Sequence, residues 1–430
     1  MKRIEISIML VYIMDMKGNL VLKKFLIALF FLSAAILGSC GNNDTETETE
    51  TKITPYTTKV LWERGMLSVG TDSPPLIEGE ALYFPSDNIP GGGSSITKIN
   101  LENGKVLWET EGLWDHDGEQ LQKIGEYIYF PVAAGFVYVL NDSDGELAAT
   151  VMLGNNEAEA RNNRVVWDST AVSGTSLFWG SPFRDVPAQG LLRLDTDNID
   201  FSKAPDEIQA IAPDLVWSSQ NESIIWANII SDNGTLYFIA GTSRYSDIQH
   251  IPTLTAMDAD TLDVRWNRKM PHIAEPYRYP LFMNGENIIV FDETISCYNK
   301  TTGEPIYENM QLKYYNSDWI NKNGTLYNNH LFYTTTDEIV SINTDTGTLA
   351  WYTPVEYVHS DHFQINMGKI YYLRDEGLYV YNADDGNLIG MDKRFKLFYH
   401  SGQFDLIYKD TVILMNEQSY GYYLTAIRYE

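Results

Sequence analysis

Beyond residue 56, short runs of adjacent apolar and aromatic residues recur along the chain: Leu82-Tyr83-Phe84, Ile128-Tyr129-Phe130, Leu177-Phe178-Trp179, Leu236-Tyr237-Phe238, Ile288-Ile289-Val290, Leu331-Phe332-Tyr333, Ile370-Tyr371-Tyr372 and Ile413-Leu414-Met415. These eight runs begin 39 to 59 residues apart, close to the length of a four-stranded propeller blade and too long for one coil of a solenoid. Turn signals stand directly ahead of several, such as Asn233-Gly234 before Leu236 and Asn284-Gly285 before Ile288, as where a hairpin enters its second strand. The pattern predicts an all-β chain of repeated antiparallel sheets.

A second motif follows most of these runs. Residues 98–108 read Lys-Ile-Asn-Leu-Glu-Asn-Gly-Lys-Val-Leu-Trp, and the same frame recurs at 256–266 and 341–351. Asn100, Asp258 and Asn343 stand eight residues before Trp108, Trp266 and Trp351. The motif predicts a strand, a turn closed by an Asn or Asp side chain with Gly at the positive-φ position, and an outer strand whose tryptophan packs on the next blade. Weaker copies at 140–149, 297–307 and 380–390 put Ala149, Tyr307 and Gly390 in the closing place.

These frames resemble the PQQ-like propeller repeat, with its strand followed by Ala-x-Asp-x-x-Thr-Gly-x-x-x-Trp, over nearly all of residues 56–430. Ring closure gives a separate check. Lys59-Val60-Leu61-Trp62-Glu63 has the character of an outer strand with no partners before it, while Ile413-Leu414-Met415 and 422–428 look like inner strands with no outer one. Joined, they make one blade and leave no open edge in the ring. The expectation is therefore an all-β, eight-bladed propeller closed by the N-terminal strand joining the C-terminal blade. Seven blades would remain if the irregular stretch 198–219 has misled the count.

The N-terminus changes the picture of where this domain works. Lys23 and Lys24 precede a fourteen-residue apolar run, 25–38, too short for a stable membrane span but suited to a secretory signal. It ends in Leu37-Gly38-Ser39-Cys40, which resembles the lipobox of bacterial lipoproteins and implies cleavage before Cys40 and its lipidation. Met16 begins a conventional basic segment and is an alternative start. The expected organisation is a signal peptide over 1–39, a lipidated acidic linker over 40–55, and a propeller over 56–430. The Thr-Glu alternation in the linker cannot bury a core; acidic residues soon after a lipidated cysteine also resemble the surface-export signal of lipoproteins in Bacteroidota-type bacteria. Once Cys40 is acylated, Cys297 is the one remaining thiol, so no internal disulfide forms. Without residues 1–39 the chain carries 26 Lys and Arg against 56 Asp and Glu, a net of −30. Such a charge repels nucleic acid and anionic head groups.

Candidate chemistry adds little. Quinoprotein dehydrogenases share the repeat, but the resemblance carries no quinone or calcium site onto any residue, and the Cys-Cys pair found in many of them is missing. The Asp-rich turns at 258–261, 343–347 and 382–386 lack the remaining ligands of a calcium loop and read as structural turns. His359 and His362 read as solvated loop residues, and 91–95 as a flexible loop without the Lys of a phosphate loop. No catalytic residue, cofactor or metal site is assigned. Insertions at 197–216 and 241–252, the latter with Tyr245 and His250, mark where the repeat departs to form either a binding surface or decoration. The size and repeat are similar to short, lipid-anchored BamB-type lipoproteins. That resemblance implies a non-enzymatic protein-interaction scaffold at the outer membrane, facing the periplasm or the cell surface, with envelope proteins as partners. The alternative is a propeller binding glycans or small molecules, or a quinone-dependent oxidoreductase.

Overall fold

The computed structural model describes residues 54–66, 75–86, 94–113, 120–132, 134–163, 170–180, 190–218, 224–225, 229–241, 251–270, 281–291, 294–311, 324–335, 337–355, 363–374, 376–395, 406–418 and 421–428. They form eight sheets, antiparallel except for one added strand, arranged as an eight-bladed β-propeller. Blade 1 runs through Leu76–Glu78, Ala81–Ser86, Ser94–Asn100 and Val106–Leu113. Blades 2 to 7 repeat this meander, with second strands Tyr127–Val132, Ser176–Gly180, Thr235–Gly241, Asn287–Phe291, His330–Thr334 and Lys369–Arg374. Each of the eight apolar runs is part of such a second strand, and these are among the most buried elements because neighbouring strands and blades cover both faces.

Blade 8 is assembled from both ends of the described chain. Ile407–Tyr408, Thr411–Gln418 and Gly421–Arg428 supply three strands, and Lys59–Met66 completes the sheet antiparallel to the last of them, Lys59 opposite Arg428 and Met66 opposite Tyr422. The expected closure is thus the observed one, and the count is eight.

The core is divided among the spaces between blades. Eight apolar clusters occur among the described residues, one at each interface. Blades 1 and 2 share Tyr83, Trp108, Ile128, Phe130 and Tyr138; blades 8 and 1 share Trp62, Leu82, Phe84, Ile413 and Leu424.

Every outer strand carries a register shift at the same place, so that one residue is left out of the ladder immediately before the closing position. In blade 1, Lys98 faces Trp108 while Ile99 faces Val106, and Leu107 is displaced. The displacement breaks strict alternation and turns the next side chain toward the neighbouring blade.

Candidate functional site

The four tryptophans of the repeat act between blades. Nε1 of Trp62 donates to the carbonyl of Leu101 at 2.9 Å, Trp108 to Asp142 at 2.8 Å, Trp266 to Lys300 at 3.0 Å and Trp351 to Ala383 at 3.1 Å. Each acceptor lies in the last hairpin turn of the following blade, directly after the Asn or Asp that opens it. Tyr307 reaches the equivalent Thr344 carbonyl with its hydroxyl at 2.8 Å. Below each ring sits the turn's glycine. At Gly145, with φ of 76°, a Cβ would come within 2.5 Å of the Trp108 ring, so a side chain there would lift the indole from its seat. These indoles are engaged in packing one blade on the next.

The same turns explain the Asp-rich segments. Oδ1 of Asp258 accepts the backbone N–H groups of Asp260 and Thr261, and Oδ1 of Asn343 those of Asp345 and Thr346. The oxygens a calcium loop would offer are turned onto their own backbone. Among the described residues no three of His, Cys, Asp and Glu converge as metal ligands. Cys297 is buried, and the same environment pushes its thiol up to about 11. His359, His362, the 91–93 glycines, Tyr245, His250 and Cys40 lie outside the described residues.

The strongest charge cluster joins blades 1 and 2. Asp142 accepts from Tyr83 and Lys98 at 2.5 Å each and from Lys123 at 2.7 Å. Burial pushes its carboxyl up, but the bonds from Lys123, Lys98 and Tyr83 outweigh this and hold it down at about 2. Held ionised, with its lone pairs occupied, it is neither acid nor base at neutral pH; it pins the interface. Between blades 4 and 5 the charges are reversed: Lys300, in the matching place after Asn299, meets Asp232 at 3.0 Å and Glu286 at 3.2 Å. Because the folded carboxyl of Asp142 lies below its ordinary value of 3.8, its contribution is complete above that value and is lost as pH falls through about 2. Asp142→Asn should therefore cost about 1–2 kcal/mol at neutral pH, allowing for partial solvent access, and the deficit should shrink in acid. Urea denaturation of both proteins from pH 7 to pH 2 checks this; a deficit independent of pH would refute it.

Two interfaces lack the aromatic, and at both the following blade lacks the regular turn that would carry the glycine. Blade 3 replaces the turn with an insertion, residues 196–213, which lies along blade 2. Its segment Ile208–Ala210 pairs in parallel with the outer strand Leu147–Met152, Ile208 facing Thr150, beside the small closing residue Ala149. Thr150 Oγ1 donates to the Pro205 carbonyl at 3.0 Å, and Phe201 stacks on Tyr127 with centroids 4.3 Å apart. The insertion is thus fixed in place, yet it leaves Phe201 and Ile208 exposed, with Leu215 exposed on the strand that follows. Of the two insertions singled out from sequence, this one is described over 197–216; the other lies almost wholly outside. Sequence reasoning missed Trp217, which closes blade 3 opposite Leu191 and packs edge-on against Phe238 of blade 4. It stands twenty-two residues after Asp195 rather than eight, so the frame did not reveal it.

The second such interface is the seam. Residues 54–58 run along the outer strand Leu388–Asp392 of blade 7, with Pro55 bridged in parallel to Met391. Gly390 holds the closing place there, and a Cβ on it would come within 2.8 Å of the Tyr56 Cβ.

No protein-family model matches this sequence, and no curated protein does. Solved structures resemble its fold. BamB from Moraxella catarrhalis superposes with a TM-score of 0.57 at 12% identity, covering 87% of this chain and 98% of that one. The quinohemoprotein alcohol dehydrogenase from Comamonas testosteroni gives 0.57 at 10% identity, covering 86% and 76%. The computationally designed Ika8 protein gives 0.52 at 11% identity, covering 87% and 100%. A natural enzyme and a designed chain stand together among these similar structures, so the fold assigns no activity by itself.

Proposed function

We propose that this protein is a non-enzymatic scaffold lipoprotein of the outer membrane, similar in role to BamB-type lipoproteins. On this reading residues 1–39 are a cleaved signal peptide, Cys40 carries the lipid, 40–55 form an acidic linker, and the propeller over 56–430 binds protein partners of the cell envelope. The observation that carries the reading is the blade 3 insertion. It is the described place where the repeat is abandoned for an ordered segment that presents apolar side chains to solvent, as an interaction surface does. No described helix is long and apolar enough to cross a membrane.

The likeness to quinohemoprotein dehydrogenases favours a second reading, a propeller that binds glycans or small molecules or carries out quinone-dependent oxidation. One experiment separates the two. The natively lipidated protein is captured from its own membranes and its companions are identified by mass spectrometry, beside a Phe201→Ser/Ile208→Ser variant. Barrel-assembly or other envelope proteins that are lost in the variant support the scaffold. Glycan-processing companions, or none, favour the second reading. Cys40→Ser should abolish acyl labelling and release the chain from membranes; unchanged fractionation would sink the lipid anchor.

A further inference from the structure

Residues 54–66 touch three blades in succession. Tyr56 N–H donates to the Met391 carbonyl at 2.9 Å, and Met391 N–H to the Thr54 carbonyl at 3.2 Å, both on blade 7. Lys59–Met66 then completes blade 8. From within that strand, Trp62 reaches over to the turn of blade 1. Between the blade 7 and blade 8 contacts lies a clamp. Oδ2 of Asp392 accepts from both the N–H and the hydroxyl of Thr58, at 2.9 and 3.1 Å, and Asp392 is held in turn by Arg394 at 2.6 Å. The Arg394 guanidinium also donates to the Thr58 carbonyl. Asp392 is buried, its side chain only 2% exposed, so its lone pairs cannot turn to water if Thr58 leaves.

An outer strand entered from a chain end would ordinarily fray from that end, because nothing precedes it to hold the first residues. Here the residue immediately before the strand is fastened to a different blade. We propose that residues 54–58 are a strap that locks the closing strand shut, with the Asp392, Arg394 and Thr58 clamp as its catch. The inverted packing at this interface fits the role. At five other interfaces an aromatic on the outer strand rests on a glycine of the next turn; here the glycine, Gly390, is on the strand and the aromatic, Tyr56, is on the incoming segment. The strap therefore stands in for the hairpin turn that blade 8 lacks because its last two strands come from opposite ends of the described chain. This inference concerns the ring alone and holds for a scaffold and an enzyme equally.

Amide hydrogen exchange of the full chain tests it, read in peptides covering 59–66 and, as an internal reference, the outer strand 305–311 of blade 5. Asp392→Asn removes the charge of the catch; Thr58→Val removes only the hydroxyl and is the milder variant. Exchange in 59–66 should rise at least tenfold in Asp392→Asn and by a smaller factor in Thr58→Val, with 305–311 unchanged. Unchanged exchange in 59–66 for both variants would show that the strap holds nothing. Equal acceleration of both regions would make Asp392 a support of the whole ring and overturn the local lock.

Discussion

Trp108→Ala will lower the unfolding free energy by about 3–5 kcal/mol, as expected for emptying a large buried aromatic site. Three losses add at this residue. Its ring leaves the cluster that joins blades 1 and 2. The Asp142 carbonyl loses the indole N–H. The turn at Gly145, which has no side chain, cannot fill the vacated space. Trp108→Phe keeps most of the apolar area and loses the hydrogen bond, so its cost should be nearer 1–2 kcal/mol. Urea denaturation at neutral pH reads both values. A Trp108→Ala loss under about 1 kcal/mol would mean that the blades do not depend on these seats.

Deleting residues 57–66 should have a larger effect. The segment contributes a whole strand of blade 8, the Trp62 seat on blade 1 and the Thr58 bonds to blade 7. Its removal leaves the strand Gly421–Arg428 as an uncovered edge and opens the cluster between blades 8 and 1. The combined loss is comparable with the whole stability of an ordinary domain, about 5–15 kcal/mol. The expected result is loss of the cooperative thermal transition and of the near-ultraviolet aromatic signal, not fraying of one end. A truncated chain that melts at the temperature of the intact one would refute the energetic role of closure.

Much of this architecture was legible in the sequence because a propeller is built from local rules. The second strands are short and buried, so they appear as apolar runs, and the Asn-to-Trp frame marks a turn and an outer strand within eleven residues. Closure was legible because the orphan strands at the two ends were complementary. Less visible was what the imperfect copies meant. Ala149 and Gly390 look like decayed repeats, yet each lies where a segment pairs with the outer strand beside it. At five interfaces aromatic and glycine form a matched pair, while the blade 4 turn facing Trp217 keeps the positive-φ place with Leu262, so an imperfect copy is understood only together with the turn of the next blade. The Asp142 hub was hidden for a similar reason. Tyr83, Lys98 and Lys123 reach it from two blades, up to 59 residues away, and no motif ties them together. The interaction surface was legible only as an irregularity, because exposure at Phe201 and Ile208 depends on how the insertion folds back on blade 2.

The displaced residue in every outer strand also bears on how this chain behaves at high concentration. A ring of blades turns its last strands outward, and a flat outward strand is a template on which another chain can add. In this protein a bulge interrupts that template on all eight blades, always just before the closing residue. On blades 2 and 7 the edge is further occupied by the chain itself. The device that aims the tryptophans at the neighbouring blades thus also denies the rim a continuous ladder, so crowded copies can lie side by side without fusing into a shared sheet.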